Sequence, residues 1–233
     1  MSWRTIVVSP HFDDAVLSVA GVLARDEGPA VVVTALGGAP GEEISAWDRL
    51  CGFASAEETA RERRAEDARA CEILGVDQVA LAHPDAPVAG LRLRELEGFL
   101  TGHVTPETRV LIPMGIGNAD HEAVRDQALD TLRKAGARQP WVYADLPYAA
   151  AVREWGTASA DQALAAKPPV RALAERHRIR PELRIRLEGD EWTAKRRAVL
   201  AYASQIAPLA CDYGEFLAMP GPLQHELVWA VDD

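Results

Sequence analysis

Two rhythms of hydrophobic and polar residues alternate along this chain. Short apolar, β-branched runs at residues 5–9, 30–36, 79–82, 109–114 and 141–146 read as buried strands. Between them the spacing turns helical. Over 13–25, Val16, Leu17, Ala20, Leu23 and Ala24 mark one face, and Gly28-Pro29 stops the run. A long charged helix is expected over about 56–74, closed by Gly75. Further helices are expected over 91–100 and about 120–134, the second closed near Gly136. Strands alternating with helices predict parallel βαβ units, hence an α/β, Rossmann-like, mostly parallel sheet with helices on both faces.

Past Pro147 the rhythm weakens. Residues 156–169 are Ala-rich and read as a surface helix and a loop; 182–187 alternate like an edge strand; 191–206 read as one helix. The tail, with Pro208, Pro220 and Pro222, reads as loop. No repeat or linker divides the chain. Its 233 residues are therefore expected to form a single domain, with a core over about 5–150 and a helix and loop extension over about 151–233.

Charge narrows the partners. A net charge of -10 repels phosphate backbones, so nucleic acid is not an expected partner. The most apolar stretch, 30–36, is far short of the ~20 residues a membrane span needs, and no signal-like segment precedes the first strand. Cys51, Cys71 and Cys211 are odd in number and lack C-x-x-C spacing, which reads as reduced thiols in a cytoplasmic protein. A homo-oligomer remains open.

The chemistry concentrates at two strand ends. Ser9-Pro10-His11-Phe12-Asp13-Asp14 leaves the first strand and opens the first helix, where open α/β sheets place ligands. His11 and Asp14 lie three apart across the turn and can face one point. A histidine with a carboxylate suits zinc, and a neighbouring carboxylate, Asp13, can take a proton from water activated by the metal. One aspartate could equally serve as the helix N-cap. The second cluster, Gly115-Ile116-Gly117-Asn118-Ala119-Asp120-His121, follows the fourth strand. His121 would supply a third ligand. Two histidines and one aspartate leave a coordination position open, as catalytic sites do. Asp120 could cap the helix or orient a ligand from behind. The donor set accepts Zn2+, with Fe2+ or Co2+ as alternatives.

These segments resemble the PIG-L / LmbE-like deacetylase family. Pro10-His11-Phe12-Asp13-Asp14 is similar to its Pro-His-x-Asp-Asp motif, and Asn118-Ala119-Asp120-His121 partly matches His-x-Asp-His. Arg63-Arg64-Ala65-Glu66 resembles the family's Arg-x-x-Glu helix, Pro84-Asp85 a substrate-contacting segment, and Lys195 through Tyr202-Ala203-Ser204-Gln205 its late Lys…Tyr-x-Ser-Gln helix. The resemblance covers most of residues 5–205. It implies a metal held by His11, Asp14 and His121, with Asp13 as general base. Hydrolysis of an N-acyl group, usually acetyl, from an amino sugar or related small molecule follows, with Arg63 and Asp85 touching substrate. The alternatives are a metal-binding or ligand-binding module without turnover, or a metal-dependent hydrolase of another amide or ester bond.

One position departs from the pattern. Where the family has the first histidine of His-x-Asp-His, which helps stabilise the tetrahedral oxyanion, this chain has Asn118. Asparagine donates a neutral hydrogen bond but carries no charge and no transferable proton. His83 is the expected substitute, with His225 a weaker one. The glycines at 37, 38 and 41 carry no phosphate-loop signature, and Ser9, His11 and Asp13 lack a nucleophile elbow. The run 57–69 reads as a solvated helix face and the six tryptophans as core or rim, with Trp47 and Phe53 able to line a substrate mouth. Substrate choice lies in loops 38–55 and 147–180, which carry no readable code.

Overall fold

The computed structural model describes residues 2–39, 44–85, 91–218 and 221–232. Gly41 and Pro220, named above, lie outside them. Among the described residues seven strands form one sheet: β1 (Thr5–Ser9), β2 (Ala30–Thr34), β3 (Asp77–Ala80), β4 (Arg109–Pro113), β5 (Trp141–Tyr143), β6 (Arg178–Arg186) and β7 (His225–Asp232). Their order is β3-β2-β1-β4-β5-β7-β6. The first five run parallel, while β7 is antiparallel to both β5 and β6. All residues of β1 and β2 are buried, which is why these strands are apolar without alternation.

Nine α-helices connect and cover the sheet: α1 (Asp14–Ala24), α2 (Ala46–Leu50), α3 (Ala56–Leu74), α4 (Arg94–His103), α5 (Ala119–Lys134), α6 (Ala160–Ala165), α7 (Pro168–Ala174), α8 (Gly189–Val199) and α9 (Ala203–Tyr213), counting the described residues. Helices α1, α3 and α8 pack on one another, and α4 packs on α5. Right-handed crossovers put these two groups on opposite faces, because the chain moves outward from β1 to β3 and then returns to β4. The ends of α3 match its sequence: the Ser55 hydroxyl accepts from the Glu58 N–H, and Gly75 closes the helix at φ 71°.

Helix α1 is buried almost throughout and is kinked at Val19 (φ -141°, ψ 25°). The kink frees backbone N–H groups inside the core, where an unmet donor costs ~1–3 kcal/mol. Glu226 of β7 meets them, accepting from the amides of Gly21 (2.9 Å) and Val22 (3.1 Å). Lys195 of α8 then neutralises Glu226 at 2.7 Å, with both side chains fully buried.

The C-terminal third corrects the sequence expectations. The tail is not all loop, since residues 225–232 form β7, inserted between β5 and β6. The helix expected over 191–206 is two, α8 and α9, separated at 200–202. Tyr202 turns inward there and donates its hydroxyl to Asp67 at 2.6 Å, a contact a continuous helix would not direct. Residues 156–169 hold α6 and the start of α7, whose Val170 and Leu173 are buried. The edge strand is real but longer, and Pro181 is tolerated at a register shift on that edge.

Candidate metal centre and substrate cleft

The strand order explains why the two motifs meet. Strands β1 and β4 are neighbours at the point where the chain reverses direction across the sheet, and their carboxyl ends open one crevice. The loop after β1 is tight. The Ser9 hydroxyl donates to the His11 carbonyl (2.6 Å) and accepts from the Ala15 N–H, so the cap expected of an aspartate falls to a serine. Asp13 sits at φ 95°, the one described non-glycine residue with positive φ. Such strain costs ~1–3 kcal/mol and persists where function over-determines the geometry.

His11, Asp14 and His121 each offer one ligand atom within 4.8 Å of the others. Asp14 Oδ2 is the hub, 2.9 Å from the His11 backbone nitrogen, 3.2 Å from His11 Nδ1 and 3.2 Å from His121 Nε2. His121 is fully buried, and its Nε2 has no hydrogen-bond partner. Its other nitrogen, Nδ1, meets Asp145 Oδ1 at 2.8 Å. A proton on Nδ1 leaves the Nε2 lone pair aimed at the triad, the arrangement in which histidine binds metal. The donor set and this orphaned nitrogen fit a divalent cation. Asp145 Oδ2 also accepts from the amides of Gly115 and Ile116, both at 2.8 Å, which pins it.

Charge is strongly redistributed. Burial works against the charged form of His121, yet Asp14 and Asp145 raise it to about 9. His11 is likewise raised well above its usual value, against burial, by Asp85, Asp120 and Asp14. Burial opposes ionisation of Asp14, but His121 and His11 hold it well below the usual carboxylate range. Asp13 is pushed up to about 8 by burial and by the charge of Asp14, with Arg63 and His11 pulling the other way. Two adjacent carboxylates are thus driven apart, one fixed as an anion and one poised to exchange a proton.

His11 and Asp14 line a cleft of about 370 Å3, with His121 fully buried beside them. Asp120 lies at its rim, 3.8 Å from His11 Nε2. Arg63 and Asp85 line it together and pair with each other at 2.6 Å. Asn118 lines it too, but its Oδ1 caps α5 by accepting from the Asp120 N–H at 2.8 Å. Trp47 is at the mouth with its indole N–H on Gln205, whereas Phe53 is buried and does not line the cleft. His83 stands apart from the cleft. Its Nε2 faces the N–H groups of Glu95 (3.2 Å) and Leu96 (3.4 Å) at the start of α4, and it is not a lining residue. His225 lies in a separate hollow with Trp155 and Arg186. A larger hollow, about 700 Å3, lies along Asp126, Arg133 and Asp232; Asp126 pairs with Arg176 and Arg133 with Asp130, and no metal-ligating set among the described residues lies there.

The late Lys…Tyr-x-Ser-Gln segment acts mostly at one remove, with Gln205 alone of its members lining the cleft. Tyr202 binds Asp67, Ser204 holds Glu66 through its N–H and hydroxyl (both 2.7 Å), and Gln205 fixes Trp47. It fastens α3, with Arg63, to the C-terminal helices. Asp145 and Tyr148 also shape the site and were not anticipated. Asp145 follows a strand end, the same signal that marked His11 and His121; Tyr148 gives none.

A model of the GlcNAc-PI de-N-acetylase family, PIG-L, matches residues 6–132, more than half the chain. The chain belongs to that family. Solved structures agree with the fold. The A40926 pseudoaglycone deacetylase Dbv21 is 27% identical, with TM-score 0.71 over 98% of this chain and 96% of its own. A zinc-inhibited form of the teicoplanin deacetylase Orf2 is 23% identical, with TM-score 0.67 over 97% of each chain. GalB, a 4-carboxy-2-hydroxymuconate hydratase from Pseudomonas putida, is 16% identical with TM-score 0.59 over 100% and 97%. No curated protein matches the chain. The match spans the first four strands and the helices through nearly all of α5, and so contains the whole triad, while Asp145 and Tyr148 lie beyond the matched residues.

Proposed function

We propose that this protein is a metal-dependent N-deacetylase that removes an acetyl group from an amino sugar or an amino-sugar-bearing glycopeptide. The observation that carries this reading is the buried Nε2 of His121, without a hydrogen-bond partner, beside His11 and Asp14, which line an open cleft. The likeness to Dbv21 supports the glycopeptide class. A divalent cation held by His11, Asp14 and His121 would polarise the acyl carbonyl and bring the pKa of water to ~7.

The remaining chemistry falls to the protein. Asp13, beside Asp14 and shielded from solvent, takes the proton of the attacking water and returns one to the departing amine. Its elevated pKa suits it to both steps in turn. The Arg63–Asp85 pair presents a donor and an acceptor to substrate hydroxyls. Zinc is the expected metal, with iron or cobalt as alternatives, and excess zinc is to be avoided in assays given the zinc-inhibited form of Orf2. Among the described residues no helix is long and apolar enough to cross a membrane, and the three cysteines are unpaired, in keeping with a reducing, cytoplasmic setting.

The test is acetate release from N-acetylglucosamine derivatives and from an N-acetylglucosaminyl glycopeptide after stoichiometric metal loading. Wild type should release acetate, and Asp13→Asn should not while still binding metal. Asn118 favours one second reading, a protein that binds metal and ligand without turnover. Metal bound at one equivalent with no acetate from any substrate would establish it.

A further inference from the structure

We propose that Tyr148 is a catalytic residue of this site, its phenol O–H donating to the oxyanion formed when water adds to the acyl carbonyl. The inference rests on the hydrolase reading above and answers the question raised by Asn118, which stands where the family has histidine. Asn118 is committed elsewhere. Its oxygen caps α5, and its amide nitrogen faces the Tyr148 oxygen at 3.5 Å. An amide nitrogen only donates, so the phenol oxygen is the acceptor in that contact and keeps its own O–H as a donor, with the Tyr213 hydroxyl as its neighbour.

Position and rigidity support the assignment. Tyr148 lines the cleft and meets His121 edge-to-face, with ring centroids 5.6 Å apart at 87°. Gly117, at φ 78°, lets the second motif close onto it, because a Cβ there would stand 2.7 Å from ring atoms Cδ1 and Cγ. Tyr213 packs edge-on against it at 5.9 Å. A donor held this way needs little reorganisation as charge develops, the condition under which oxyanion stabilisation is strong.

Several other donors that line the cleft are engaged, while the buried Arg63 Nε has no hydrogen-bond partner. Trp47 donates to Gln205, Ser45 to Asp48, Arg63 to Asp85 and Gln205 to Ser204. His83, the expected substitute, faces α4.

The experiment compares wild type with Tyr148→Phe, each loaded with one equivalent of zinc. The expected result is a fall in kcat of ~10²–10³ with KM and metal content unchanged. A second readout is independent of turnover. A phosphonamidate analogue of the N-acetyl substrate, whose tetrahedral oxygens mimic the oxyanion, should bind Tyr148→Phe more weakly by a similar factor, while the substrate itself binds equally to both proteins in an Asp13→Asn background. Introducing Asn118→His into Tyr148→Phe should recover part of kcat. If wild type is active and Tyr148→Phe retains kcat within about twofold of it, or loses metal in step with activity, the proposal is overturned. If metal-loaded wild type hydrolyses nothing, the hydrolase reading fails first and this proposal falls with it.

Discussion

Replacing Asp145 by asparagine changes the chemistry of one side-chain position while keeping its shape, and it tests how His121 is prepared for metal. Asp145 Oδ2 accepts two backbone N–H groups, from Gly115 and Ile116, and Oδ1 meets His121 Nδ1 at 2.8 Å. Two N–H donors require an oxygen opposite them. The asparagine must therefore keep its oxygen on the amides and turn its NH2 toward His121 Nδ1. The imidazole then has to accept at Nδ1 and carry its proton on Nε2, the nitrogen that faces Asp14 and must bind the cation. The opposite rotamer sets NH2 against two N–H groups and is worse. Losing such an outer partner costs ~10–100-fold in metal affinity, or ~1.4–2.7 kcal/mol. Zinc affinity is read by chelator competition, with the melting temperature in EDTA as a control for folding. An Asp145→Asn protein that folds normally and binds zinc within about twofold of wild type would refute the tautomer argument.

Other outcomes follow from the same geometry. Asp14→Ala and His121→Ala should each abolish stoichiometric zinc binding, measured by elemental analysis after dialysis; retention of one equivalent in either would displace the triad as the site. In metal-free protein His121 is raised to about 9 from 6.5 and Asp13 to about 8 from 3.8. Both bind protons more tightly when folded, so in EDTA the Asp13 contribution to stability should fall between about pH 4 and 8 and the His121 contribution between about 6.5 and 9. Urea unfolding across that range checks it, and a flat profile would contradict the charged state of His121. Glu226→Gln leaves Lys195 in the core without a counter-charge and should destabilise by ~3–5 kcal/mol in urea unfolding. Asn118→Ala should cost ~1 kcal/mol through loss of the α5 cap alone, visible as a lower melting temperature.

The first half of the fold was legible because its signals are local. Fully buried parallel strands are short apolar runs, and α3 is bracketed by Ser55 and Gly75. The triad was legible because each motif sits at a strand end and the sheet order brings those ends together. The C-terminal third was harder to read. Strand β7 begins with His225-Glu226 directly after a proline-rich stretch, and its glutamate is polar for a reason located in α1, some two hundred residues earlier. The break between α8 and α9 depends on Asp67, equally remote. His83 faces the exposed start of α4 and not the cleft, because position after a strand does not fix where a ring points. Tyr148 carries no pattern in sequence, since what places it is the close approach of Gly117.

The Glu226 contact with α1 has a consequence for biosynthesis. The candidate metal ligands lie early in the chain, but α1, which begins at Asp14, keeps its kinked amides satisfied only once β7 is in place. A nascent chain that has already emerged through His121 therefore carries every ligand without a finished pocket to hold them. Competence for metal should switch on late, when the ribosome releases residues 225–232 to the sheet, and products of premature termination should remain metal-free and exposed to proteolysis.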